Sequence, residues 1–187
     1  MPALFLSFLA CLLLTAAGRD QVRVARLSAR LGPGMGLLVA IWLSALVASI
    51  AAASVGSYLA PALPSAARQM FVALVLGLAA FELVVLRAPP APAEPTRSTG
   101  AILLVLLAAQ LTDSARLLVL AIALATGDPW LAAAGGVLGS GAALTLAALA
   151  GGAWEARIPL RSVALGLAAV LVLAAVVIGL FARGLLG

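Results

Sequence analysis

The chain is built from apolar runs of about 17–25 residues, the length an α-helix needs to cross ~30 Å of hydrocarbon at 1.5 Å per residue. Six runs are readable: from about Ala3 into the polar stretch after Gly18, then Met35–Leu59, Gln69–Leu86, Gly100–Thr126, Trp130–Ala153 and Ser162–Ala182. Composition agrees. Of the 187 residues 65% are hydrophobic and 9% charged, where a soluble domain carries about 25% charged residues. Mean hydropathy is +1.26. A soluble enzyme, a nucleic-acid-binding domain and a disordered tail are thereby excluded. The fold class is an all-α integral membrane protein whose first partner is the lipid bilayer.

The isoelectric point near 11.4 does not signal nucleic acid. All 11 basic residues are arginines, and they cluster at the ends of apolar runs, which is a topology signal. Histidine is absent and Cys11 is the one cysteine. No imidazole base, no Cys/His pair and no Ser/His/Asp set can be assembled, so an enzyme is not expected and no cofactor is implied. The first run has no basic residue before it and reads as a span rather than a cleaved leader.

Punctuation in the chain repeats. A displacement of 95 residues sets Gly32 on Gly127, Gly56 on Gly151, Pro64 on Pro159, and the polar stretch Thr15–Gln21 on Gln110–Arg116. The expected organisation is a three-helix repeat over 1–86, a Pro-rich linker over 87–99 (RAPPAPAEPTRST) and a second three-helix repeat over 100–187. An odd number of spans per half makes the halves cross in opposite senses, an inverted repeat of the kind found in secondary transporters. Arg23, Arg26, Arg30, Arg87, Arg97, Arg157 and Arg161 fall on one side, Arg68 and Arg183 on the other. The positive-inside bias puts the linker in the cytoplasm and both termini outside. The expected location is a bacterial inner (plasma) membrane.

Charged groups inside spans cost about 2.5–3.5 kcal/mol each on insertion scales and so ask for a reason. In the first cluster, Arg19, Arg23, Arg26 and Arg30 share one stripe of a helix, and Asp20 reaches Arg23 at i+3. The second cluster, Gln110 to Arg116, sits near the middle of the long fourth run. Read as one helix, it puts Gln110, Asp113 and Ser114 on a common face with Arg116 about 60° beyond Asp113. Asp113 is expected to pair with Arg116 on its own helix or with Arg19 across the repeat interface. Glu82 lies about one turn from Arg87 and reads as an interfacial residue. Gly135, Gly139 and Ala143 lie at helical spacing on the fifth run, which suits close helix contact within the monomer or in a homodimer.

These features resemble the transmembrane protein 165 family of Golgi and bacterial calcium/manganese exchangers, related to the lysine-exporter superfamily. The family motif is Glu-x-Gly-Asp-Lys/Arg-Thr/Ser-Gln in each of two repeats, with an apolar run ending in Ala-Ala-Arg-aromatic-Gly after it. Here the first copy reads Thr15-Ala16-Ala17-Gly18-Arg19-Asp20-Gln21, with Ser28-Ala29-Arg30-Leu31-Gly32 as its tail. The second copy reads Gln110-Leu111-Thr112-Asp113-Ser114-Ala115-Arg116. The resemblance implies antiport of Mn²⁺ or Ca²⁺ against H⁺ at a midplane site drawn from Thr15, Gly18, Arg19, Asp20, Gln110, Asp113 and Ser114. Thr15, Gln110 and Gly18 stand where the family has carboxylates, and Asp113 alone survives as a metal ligand. Hard divalent cations need several charged oxygens, so that site is weak. Two other readings remain open: an exporter of a small polar or amino-acid-like solute, and a non-transporting membrane scaffold.

Overall fold

A computed structural model of the chain describes residues 1–32, 34–85, 98–154 and 159–185. Within them the chain is helical, with no strand: α1 (Pro2–Ala17), α2 (Arg19–Leu31), α3 (Met35–Leu59), a short 3₁₀ turn (Ala60–Ala62), α4 (Ser65–Val85), α5 (Thr99–Leu111), α6 (Ser114–Thr126), α7 (Pro129–Ala150) and α8 (Leu160–Ala182). Residues 87–97 of the expected linker, with Arg87 and Arg97, lie outside the described residues, as do Pro33, Arg157 and Ile158.

Met35–Ala62, Ser65–Val85, Pro129–Ala150 and Leu160–Ala182 are each long and apolar enough to cross a membrane. The first and fourth runs are not the continuous helices that hydropathy suggests. Each is a bent pair, α1–α2 at 60° and α5–α6 at 58°, so the described residues hold four to six candidate spans. The breaks fall at Gly18 and at Thr112–Asp113. Gly18 and Asp113 are the N-caps of α2 and α6, with similar extended backbones (φ −85°, ψ −174° and φ −85°, ψ 144°). They are also 95 residues apart. The same displacement carries α2 onto α6 from end to end, and the starts of α4 and α8 onto each other.

Other repeat punctuation behaves unevenly. Gly32 and Gly127 both turn the chain with positive φ (83° and 74°), which only glycine adopts cheaply. Gly151 ends α7 with φ 51°. Gly56, its expected counterpart, is an ordinary helical residue of α3 pressed against the Leu120 carbonyl. That coincidence is one of composition, not of structure.

Packing is reciprocal between the halves. The bent pair α1–α2 lies along α7, and the bent pair α5–α6 lies along α3, while α4 packs on α8. Close approach is allowed by small residues. A Cβ at Gly135 would stand 2.8 Å from Phe8 N, and one at Gly139 2.9 Å from Leu12 N, so the α1 backbone rests directly on α7. The stripe expected on the fifth run is therefore occupied within the monomer. Ser7 Oγ adds a bond to the Ala132 carbonyl at 2.7 Å, and Ser28 Oγ another to Ala148 O. Such contacts bind helices where lipid removes the hydrophobic contrast. α7 is the central helix, 61% buried along its apolar stretch, and α8 is peripheral at 11%.

Candidate functional site

Intramembrane polar groups separate into two sets around the helix breaks. The first lines a cavity of ≈ 250 Å³ between the N-termini of α2 and α6. Gly18, Arg19 and Gln21 come from the α2 side, Asp113 and Ser114 from the α6 side, and Glu82 from α4; Arg26 and Arg161 also line it. Its remaining walls are apolar, including Leu14, Val22 and Leu83. Breaking a helix inside an apolar bundle strips backbone N–H groups of their intrahelical acceptors, so each new N-terminus attracts an anion or acceptor.

At α6 the protein supplies that acceptor itself. Glu82 Oε2 accepts the Ser114 backbone N–H at 3.0 Å, while Oε1 accepts from Arg19 Nη2 at 2.8 Å. One carboxylate thereby joins α4, α6 and the first residue of α2. This corrects two sequence expectations. Glu82, read from the sequence with Arg87 as its neighbour (a residue outside those described), is bonded instead to Arg19 and the Ser114 N–H, and Arg19 pairs with Glu82 rather than with Asp113. Asp113 forms no ion pair with Arg116 either: the break places it at the N-cap of α6, off the helical face assumed for an unbroken run. The expected Asp20–Arg23 pair is present at 2.9 Å, leaving Asp20 Oδ2 buried without a hydrogen-bond partner.

The second set is not among the residues that line the cavity and is centred on Arg116, which is 3% exposed. Its Nη1 donates to Ser140 Oγ at 2.8 Å and its Nη2 to Gln110 Oε1 at 2.5 Å. Gln110 Nε2 in turn donates to Ser44 Oγ at 2.9 Å, and Thr15 Oγ1 to Ser140 Oγ at 3.4 Å. Cys11 is packed beside them, donating to the Ala115 carbonyl at 3.6 Å. Among the described residues no carboxylate forms an ion pair with Arg116, so its charge is held by neutral oxygens on α5 and α7.

The seven residues expected to form one site are thus divided. Gly18, Arg19, Asp113 and Ser114 meet at the cavity, Thr15 and Gln110 belong to the Arg116 network, and Asp20 pairs with Arg23. No three His, Cys, Asp or Glu side chains among the described residues gather as a metal would need. Sequence reasoning missed Ser44, Glu82 and Ser140 as members of these networks and Gln21 as a residue of the cavity wall. Gln21 had a signal: it is the 95-residue counterpart of Arg116. It is 0% exposed, and neither its amide nitrogen nor its oxygen has a partner.

No family model, curated protein or solved structure matches this chain.

Proposed function

We propose that this chain is a multi-pass carrier of a small polar solute, built as six spans in two inverted three-helix repeats. The observation that carries the reading is the convergence of two broken-helix N-termini on one cavity. Interrupted helices at a repeat interface are the construction secondary carriers use to expose backbone dipoles to a solute. The shared 95-residue register of the breaks and the reciprocal packing of each bent pair on the other half support the duplication. On the arginine bias, this reading has the linker in the cytoplasm and both termini outside. Because Arg26 and Arg161 line the cavity, it then opens toward the cytoplasm.

Divalent-cation exchange, which the family resemblance suggests, has less support from the chemistry. Glu82 is committed to Arg19 and to the α6 N-terminus. Asp113 is the one other carboxylate on the cavity among the described residues, and arginines share its lining. Hard cations need more negative oxygen than that.

Reconstituted vesicles test the reading. Vesicles preloaded with small hydroxy- and amino-solutes should exchange them with label outside in proportion to protein, while Mn²⁺ and Ca²⁺ uptake stays at the level of empty vesicles. Protein-dependent Mn²⁺ or Ca²⁺ uptake with no organic exchange would overturn it. No flux of either kind would favour a scaffold.

A further inference from the structure

The two helix N-termini at the cavity are unequal. At α6, the Glu82 carboxylate accepts the Ser114 N–H. At α2, the N-cap is Gly18 and no side chain caps the first turn. The residue 95 positions after Glu82 is Val177, which carries no acceptor. Beside this uncapped turn lies Gln21, fully buried, lining the cavity, with both ends of its amide unpaired. A buried amide is ordinarily hydrogen-bonded, and one left unpaired in the wall of a cavity calls for an explanation.

A carboxylate provides what is missing. Its oxygens accept from the α2 first-turn N–H groups and from Gln21 Nε2, as the Glu82 carboxylate does at α6. A hydroxyl or amine on the same molecule donates to Gln21 Oε1 or to Asp113, which has no ion-pair partner among the described residues. At the cavity's edge Arg161 donates to the Val84 carbonyl at 2.8 Å and forms no ion pair with a described carboxylate, so it favours entry of an anion. At roughly 30 Å³ per water-sized group, ≈ 250 Å³ holds about eight non-hydrogen atoms.

We infer that the solute is a small carboxylate bearing a hydroxyl or amine, held with its carboxylate against Gln21 and the α2 N-terminus. This rests on the carrier reading above and specifies the solute class of the same site.

The test uses the full chain in detergent and reads the thermal unfolding midpoint against concentration of lactate, alanine, lactamide, alaninamide and propionate. Lactate or alanine should stabilise the protein with a half-saturation at least about ten-fold below that of its amide, the size expected of a charge-assisted contact. Propionate, lacking the second donor, should be weaker than lactate. Gln21→Leu should unfold no earlier than the parent without solute, since it removes an unpaired amide, and should lose the acid-over-amide preference. Gln21→Glu, which sets a like charge at the site, should lose it too and serves if the leucine variant does not fold. Equal effects of acid and amide, a preference that survives Gln21→Leu, or no shift with any of the five compounds would overturn the inference. Vesicle exchange separates the two readings. Lactamide exchanged as well as lactate leaves the carrier standing and overturns this inference. Selective acid binding without any exchange leaves the site standing and overturns the carrier.

Discussion

Replacing Glu82 by glutamine removes the charge that holds the second helix break in place. Its carboxylate makes two contacts, 2.8 Å to Arg19 Nη2 and 3.0 Å to the Ser114 N–H. The side chains of the ion pair are 33% and 16% exposed for Arg19 and Glu82, so the pair falls between two measured limits. Exposed pairs contribute about 0–1 kcal/mol, and breaking a buried one costs about 3–5 kcal/mol. A value of about 2 kcal/mol follows after solvent screening of the arginine. Glutamine can still accept from Ser114, but its amide N–H groups then face the guanidinium donors, and the helix N-terminus loses a further ~0.5–1 kcal/mol of anion stabilisation. Glu82→Gln should therefore destabilise by about 2–3 kcal/mol. A double-mutant cycle with Arg19→Gln, read by reversible unfolding in mixed micelles, should give a coupling of about 1–2 kcal/mol. The parallel cycle of Arg19→Gln with Asp113→Asn should give none beyond the ~0.5 kcal/mol expected of independent sites. A Glu82–Arg19 coupling below that limit, or a larger coupling to Asp113, would refute the assignment of Arg19 to Glu82.

Three other predictions address packing, topology and metal. Gly139→Ala drives a Cβ to 2.9 Å from Leu12 N and 3.1 Å from Cys11 Cβ, so it should lower stability by about 1–3 kcal/mol, the usual cost of overpacking. Gly166→Ala, with nothing within 4 Å, should cause no loss in the same melting experiment. In a Cys11→Ala background, Ala93→Cys and Asp128→Cys should react with an impermeant thiol reagent from opposite faces of sealed vesicles; reaction from one face would reject the inverted repeat. Titration calorimetry should show no micromolar Mn²⁺ binding to the parent. Thr15→Glu with Gln110→Glu should gain it only when Arg116→Gln is added, because both new carboxylates enter the Arg116 network and are otherwise neutralised there; tight binding by the parent would overturn this account of the site.

Hydropathy was enough to delimit α3 as Met35–Leu59 and to place the other long helices within a few residues. The breaks were not legible in the same way. A lone glycine or a Thr-Asp pair costs a helix only about 1 kcal/mol, too little to mark an end within an apolar run. What holds α6 separate includes an acceptor from α4, 32 residues earlier in the chain. Arg19 tells the same story. Pattern reasoning looks for partners three or four residues away, which finds Asp20 for Arg23 but not Glu82 for Arg19, 63 residues on. The repeat register was the better guide. It matched the two breaks to each other, and it linked Gln21 to Arg116, two buried polar side chains at equivalent places with opposite fates.

Arg116 also constrains the order in which the chain assembles during synthesis. Its guanidinium leaves the ribosome with Gln110 already on the neighbouring helix α5, and Ser44, which steadies that amide, has long been made. Ser140, its other hydroxyl partner, is 24 residues still to come. An arginine set alone at mid-bilayer carries an insertion cost of about 2.5–3.5 kcal/mol. The bent α5–α6 pair can thus engage α3 through Gln110 and Ser44 as soon as it is made, and Arg116 is fully partnered only when α7 supplies Ser140. A nascent chain halted before Ser140 would therefore carry a half-partnered arginine, with Gln110 bound and its second oxygen missing.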